Sequence, residues 1–266
     1  MAARVSDAQA REWAQALYDA RRTGVPIAAF TDSDPELGME DGYAIQEHLV
    51  AALVADGEAI CGYKLGLTSL PMQQLLGVDQ PDFGPVFAST VYRDGAELPV
   101  DRFIAPRMEA EIGIILDRDL TGPNCTPADA RAAARGMVAA LEIVDSRIRD
   151  WKIKLCDTVA DLASNGAIAL SSLVVPMDDV DARLVGMVFS RNGEVIATGA
   201  GAAALGDPLA AVAWLANTLA PMGVTLPAGS VIMTGALHAM VPVQPGDVFR
   251  AEFDRLGPIT IRMAKE

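Results

Sequence analysis

Two glutamates one residue apart, Glu109 and Glu111, stand in the stretch Arg107-Met108-Glu109-Ala110-Glu111-Ile112-Gly113-Ile114-Ile115-Leu116. The pattern is strand-like, and alternate residues of a strand share a face. Both carboxylates therefore point the same way, followed in their row by Gly113 and Ile115. The opposite row, Ala110, Ile112, Ile114 and Leu116, reads as core. Acids at the mouth of an apolar strand are costly to bury unless protonated or paired with cations. A hard divalent cation such as Mg²⁺ or Mn²⁺ meets that need with oxygen ligands. A third acid, Glu142, is embedded in the apolar run Ala140-Leu141-Glu142-Ile143-Val144-Asp145. The intervening chain is long enough for a helical crossover and a return to the same sheet. Three carboxylates from two neighbouring strands would then share one ion. The competing reading pairs Glu142 with Arg147, Arg149 or a lysine.

A cation stands upstream. In Ala59–Ser69, Cys61, Tyr63, Leu65 and Leu67 occupy one strand face, and Lys64 shares the other with Gly62 and Gly66. Flanking glycines leave room for a ligand or another backbone; the alternative is a solvating charge on an edge strand. The order is not that of a P-loop, and no GxGxxG is present, which argues against nucleotide binding. Asp82 falls in Gln80-Pro81-Asp82-Phe83-Gly84-Pro85, expected to be a rigid loop, where an aspartate ordinarily caps a turn. In Ser146–Lys154, an extended conformation would place Lys152 and Lys154 on one face, able to neutralise an anionic substrate or a metal ligand. Asp157–Gly166 reads as a polar, helix-starting loop. Cys61, Cys125 and Cys156 form no CxxC pair, and His48 and His238 are far apart, so thiol or histidine metal chemistry is not expected.

The elements that must position these groups follow from periodicity and punctuation. Ser6 and Gln9 resemble a capping box before a helix with Ala10, Trp13, Ala14, Leu17 and Tyr18 on its apolar face, ended by Gly24 and Pro26. A second helix is expected from about Pro35 to Asp56, capped by Asp34 and stopped by Gly57, with Ile45, Leu49 and Leu53 as its stripe. Residues 70–77 suggest one short helix. Thr126, Pro127 and Asp129 start another that runs to about Met137. Asn192-Gly193 signals a hairpin, Asp207-Pro208 a helix stopped by Pro221 and Gly223, and Val231–Gly235, Val248–Phe253 and Ile259–Met263 further strands. The 266 residues, 51% hydrophobic, suffice for a real core. A net charge of −14 disfavours nucleic acid and anionic membranes as partners. The absence of a membrane-length apolar stretch or a signal core makes a cytoplasmic enzyme the expectation.

The motifs GYKLGLTS (62–69), GVDQPDFG (77–84), PRMEAEIG (106–113), ALEIVDSRIRDWKIKLCDTVAD (140–161), DPLAAVAWLAN (207–217) and MTGALHAMVPVQPGD (233–247) together resemble the 2-keto-4-pentenoate hydratase and 2-oxo-3-hexenedioate decarboxylase family, within the fumarylacetoacetate hydrolase superfamily. The resemblance covers nearly the whole chain. It implies an α+β fold, a mixed β-roll or barrel spanning 59–266 behind an N-terminal helical region, 1–58. It implies Mg²⁺ or Mn²⁺ on Glu109, Glu111 and Glu142, Lys64 and Asp82 as catalytic groups, and Lys154, Ser164 and Thr234 against a small 2-hydroxydienoate or 2-oxo acid. It also implies a homo-oligomer, with a partner enzyme from the same aromatic-hydrocarbon catabolic route. PDFGPVF looks more like the hydratase branch than the decarboxylase branch. In DTVADLAS, Leu162 stands where the family usually has Asn.

Overall fold

Alternation in the acid-bearing stretch is realised in full: Ala110, Ile112 and Ile114 are completely buried on one face of a ten-residue strand. The computed structural model describes residues 3–76, 78–178 and 180–265. In chain order, its helices are α1 (Asp7–Thr23), α2 (Met39–Ala55), α3 (Leu70–Leu76), α4 (Pro127–Ala133), α5 (Leu155–Ala160) and α6 (Pro208–Leu219). The strands are β1 (Ile60–Gly66), β2 (Asp82–Phe87), β3 (Val91–Arg93), β4 (Glu97–Leu98), β5 (Arg107–Leu116), β6 (Ala134–Val144), β7 (Asn165–Leu170), β8 (Gly186–Arg191), β9 (Glu194–Ala200), β10 (Val231–Ala236), β11 (Val241–Pro242), β12 (Val248–Phe253) and β13 (Gly257–Met263).

The strands form two sheets. One is ordered β2-β1-β10-β5-β6-β7-β3, with β11 beside β5; the other is ordered β4-β13-β12-β8-β9. Their apolar faces share one core, in which Ile112, Ile114 and Leu141 meet Phe189, Phe249 and Ile261, with Leu215 of α6. A second core lies under the N-terminal helices, where Leu17, Ile45 and Leu49 pack with Phe87, Ile148, Cys156 and Leu162. The expected roll or barrel is therefore corrected to a mixed α/β arrangement of two open sheets, since neither strand path closes on itself.

Local signals hold where they are short-range. Ser6 accepts from the Gln9 amide, Gly24 ends α1 in the left-handed region, and Thr126 and Asp129 form a reciprocal capping box. Asn192 and Gly193, with φ 55° and 86°, turn β8 into β9. Three boundaries differ. Helix α2 starts at Met39 behind Gly38 rather than at Pro35, because Asp41 turns back to accept from the Gly38, Arg4 and Val5 amides. Helix α4 ends at Ala133 rather than Met137, since the alanines from Ala134 onward pair with β5 as β6. The helix expected over 70–77 is α3; Gly77 lies outside the described residues. Among the described residues, no helix is long and apolar enough to cross a membrane.

Candidate active site and metal centre

The site is built on one face of four strands of the larger sheet. Strands β5 and β6 pair antiparallel with Glu109 directly opposite Glu142 and Glu111 opposite Ala140. Cross-strand partners project to the same face, so all three glutamates converge. One carboxylate oxygen from each falls within a 4.8 Å group. Glu111 and Glu142 are fully buried and Glu109 is half-buried. A register shift in β10 between Met233 and Ala236 turns the Gly235 amide toward Glu111, to which it donates at 2.9 Å. The second oxygen of Glu111 and both oxygens of Glu142 have no hydrogen-bond donor.

Strands β1 and β2 bring the other two groups. Lys64 lies opposite Gly84, and Gly66 opposite Asp82. Asp82 is thus the first residue of a strand rather than part of a loop, and Pro85 is tolerated because β2 is the sheet edge. The space beside Lys64 is filled from within: a Cβ on Gly66 would collide with the Asp82 carboxylate, and one on Gly62 with the Val231 backbone. The Lys64 ammonium is buried. It donates to the Ala163 carbonyl at 2.9 Å and lies 3.4 Å from Glu142, so the alternative pairing of Glu142 with a lysine is also realised.

Ala163 is delivered by a strained turn. Leu162, Ala163 and Ser164 all have φ between 52° and 58°, a left-handed run that non-glycine residues rarely adopt. Two features hold it. Arg147 clamps the turn at both ends, donating to the Asp161 carboxylate and carbonyl and to the Asn165 carbonyl. The Leu162 side chain, 1% exposed, is anchored in the core under the N-terminal helices. That burial is what leucine supplies at the position where the family usually has Asn. Gly84 allows the turn to lie on β2, because a Cβ there would overlap the Leu162 carbonyl.

The electrostatics reflect four acids around one lysine. Burial, reinforced by Glu142, pushes Glu109 up to about 8 despite Lys64. Glu111 is raised well above the usual carboxylate range by burial and by the other two glutamates. Burial also raises Glu142 and Asp82, against the pull of Lys64. Burial disfavours the Lys64 cation, yet the carboxylates of Glu142, Asp82, Glu109 and Glu111 overcome it and raise its pKa. If all were ionised, the cluster would carry an excess of negative charge that a divalent cation relieves. The unpartnered buried oxygens and the all-oxygen donor set fit such an ion.

The remaining sequence candidates divide. Ser164 is buried on the same turn, with its hydroxyl 3.2 Å from that of Thr158. Thr234 is fully buried and donates to the Ile112 carbonyl at 2.8 Å, on the bulge that supplies the Gly235 amide. Lys154 is exposed at the start of α5. A tight turn at Arg149–Trp151 precedes it, and Lys152 leaves that turn with φ −80° and ψ 62° rather than in the expected extended conformation. Arg107, in the same strand row as the acids, stacks on Trp151 at 4.3 Å. His48 pairs with Asp7, while His238 accepts from the Ala110 amide and stacks on Phe189. The backbone contributors, Ala163 carbonyl and Gly235 amide, carry no side-chain signal in the sequence.

The chain is similar to known proteins over most of its length. Residues 63–264 match the fumarylacetoacetate (FAA) hydrolase C-terminal family. The chain is 46% identical over 251 residues to a 2-keto-4-pentenoate hydratase of Paraburkholderia xenovorans strain LB400, covering 94% of this chain and 93% of the relative. A 2-keto-4-pentenoate hydratase 3 of Pseudomonas putida matches equally, with the same identity and coverage. Among solved structures, 4-oxalocrotonate decarboxylase from Pseudomonas putida G7, complexed with magnesium and adipate, superposes with a TM-score of 0.94 at 35% identity. That match covers 97% of this chain and 98% of the decarboxylase.

Proposed function

Because the chain belongs to the 2-keto-4-pentenoate hydratase family of the fumarylacetoacetate hydrolase superfamily, we propose that it is a divalent-metal-dependent hydratase. Its substrate is 2-hydroxypenta-2,4-dienoate or a close homologue, and its product is 4-hydroxy-2-oxopentanoate or the matching homologue. The carrying observation is the convergence of donor-free buried carboxylate oxygens with a charged, buried lysine on one sheet face.

Glu109, Glu111 and Glu142 would hold the metal, Mg²⁺ or Mn²⁺, which would supply Lewis-acid stabilisation of enolate charge on the substrate. The reaction has two parts. In ketonisation the enol hydroxyl loses its proton and C5 gains one, leaving a 2-oxo-3-enoate. Water then adds, its oxygen to C4 and a proton to C3. Lys64 donates one of its three N–H groups to Ala163 and faces Glu142 as an ion pair without a hydrogen bond, so its remaining N–H groups are available for substrate. Asp82, with one buried oxygen unpartnered and its affinity for a proton raised by burial, is suited to take up and return protons. Ser164 and Thr234 line up the turn and the bulge beside these groups, and Lys154 contributes positive charge from the exposed start of α5. A homo-oligomer acting in the cytoplasm beside a partner enzyme of the same catabolic route completes this reading.

One second reading has a specific observation behind it. The magnesium-and-adipate decarboxylase superposes closely, and the same acid cluster would serve loss of carbon dioxide from 2-oxo-3-hexenedioate. Product analysis separates the two. We expect metal-dependent loss of dienoate absorbance with formation of 4-hydroxy-2-oxopentanoate; carbon dioxide release from 2-oxo-3-hexenedioate without hydration would replace hydration with decarboxylation. Glu111→Gln is expected to weaken Mg²⁺ binding by at least tenfold with an unchanged circular-dichroism spectrum. Unaltered metal affinity would remove Glu111 from the ligand set.

A further inference from the structure

The clamp on the Ala163 turn has a second face. Arg147 also lines a cavity of about 100 Å³, together with Arg21 of α1, Arg102 and Phe103 from the turn before β5, Asp145, and Gly166. None of the candidate metal ligands or proton-transfer groups lines it. Three guanidiniums around one cavity reverse the local charge of a chain that carries −14 overall. The single lining carboxylate, Asp145, is taken up by the Ile104 and Ala105 amides. Arg147 is matched by Asp161.

Arg21 and Arg102 are not matched. Among the described residues, neither has a carboxylate within ion-pair distance. The exposed Arg102 donates to the Tyr92 hydroxyl at 2.5 Å, and the half-buried Arg21 makes a long 3.4 Å bond to the Asn165 carbonyl. Burial and the neighbouring Arg147 pull the Arg21 guanidinium down to about 10, while Asp161 and Glu58 act weakly the other way. A partly buried cation beside a like charge is costly, and an anion between them offsets that cost. Guanidinium forks bind oxyanions in bidentate fashion and are less hydrated than ammonium groups. The cavity opens to solvent on the side of Arg102, and its volume exceeds that of a single water.

We propose that this cavity is a binding site for a small oxyanion of the phosphate class, held by Arg21, Arg102 and Arg147 and separate from the acidic catalytic face. Arg21 and Arg147 both donate to the Asn165 carbonyl. A bound oxyanion therefore ties helix α1 to the end of the turn that presents Ala163 to Lys64.

Inorganic phosphate is the probe, used on the full chain in Mg²⁺ against chloride at equal ionic strength. The expected result is saturable calorimetric binding with a matching rise in unfolding temperature. Arg21→Gln and Arg102→Gln should each weaken that binding by about tenfold, the loss of a charged hydrogen-bonding partner. Phosphate held by the catalytic metal would persist in both variants, which separates the two sites. Should Arg21→Gln fold poorly, the exposed Arg102→Gln carries the comparison alone. Absence of saturable binding, or equal binding in wild type and variants, overturns the proposal. So does dissociation of the variants into smaller assemblies in phosphate-free buffer, since the arginines would then be gripping a carboxylate of a second copy of the chain.

Discussion

Gly84→Ala is the sharpest test of how the backbone sets Lys64. Gly84 lies directly opposite Lys64 in the β1–β2 ladder. An added Cβ would sit 2.5 Å from the Leu162 carbonyl carbon and closer still to its oxygen. Carbon atoms rest at about 3.5 Å or more, so roughly an ångström of displacement is required. No rotamer change can supply it, because the obstacle is backbone. The Leu162 side chain is locked in the core under the N-terminal helices and Arg147 pins the flanks of the turn. The turn must therefore shift as a unit. The 2.9 Å bond from Lys64 to Ala163 then opens past the ~3.5 Å limit of a useful hydrogen bond. Overpacking of this kind costs about 1–3 kcal/mol of stability, and a misplacement of about 1 Å costs on the order of 10²-fold in turnover. The proposed metal ligands stand on β5 and β6 and do not touch Gly84. Mg²⁺ affinity should thus stay within about threefold of wild type. Dienoate kinetics, Mg²⁺ calorimetry and circular dichroism on one preparation decide the matter. A folded variant with wild-type kcat would refute the positioning argument, as would a loss of Mg²⁺ affinity in proportion to activity.

Two further outcomes follow from the same geometry. In metal-free protein the raised carboxyls of Glu109, Glu111, Glu142 and Asp82 keep protons that the unfolded chain has released. Stability in EDTA should therefore fall as pH rises from about 5 to about 8. The raised Lys64 stays protonated in both states across that window and contributes no slope. Because Mg²⁺ favours the ionised carboxylates, the gap in unfolding temperature between Mg²⁺ and EDTA should widen with pH; a constant gap would contradict the reading. Leu162→Asn exchanges a left-handed leucine for a residue that tolerates that region better, a gain of about 1–2 kcal/mol. It forfeits about 1.5–3 kcal/mol of apolar burial and places an amide in a greasy cluster at a further ~1–3 kcal/mol. Thermal unfolding should show a net loss of about 3 kcal/mol, and a more stable variant would reverse the assignment of Leu162 to packing.

What the sequence revealed depended on range. Glu109 and Glu111 were readable because a strand's period of two is local, and Glu142 because an acid stands out in an apolar run. Lys64 was conspicuous beside two glycines, although their space turned out to hold Asp82 and the Val231 backbone rather than a ligand. Asp82 reads as a loop residue because Pro and Gly punctuate it, whereas the strand order places it on an edge strand that accommodates Pro85. The Gly235 amide and the Ala163 carbonyl are main-chain groups present at every residue, so no composition marks them. The left-handed run at 162–164 depends on Arg147 and on a core assembled from α1 and α2, contacts far away in sequence. Whether the sheets closed was likewise a matter of long-range pairing.

The direct opposition of Glu109 and Glu142 has a consequence for how the molecule matures. A slip of one residue between β5 and β6 would carry one glutamate to the far face, into the core shared by the two sheets. No ion could then be gripped, and a bare carboxylate would be stranded among Ile112, Leu141 and Phe189. With the proposed ion, correct pairing and metal capture would be a single event: the ion would inspect assembly before serving chemistry, retaining the one strand alignment in which all three glutamates meet.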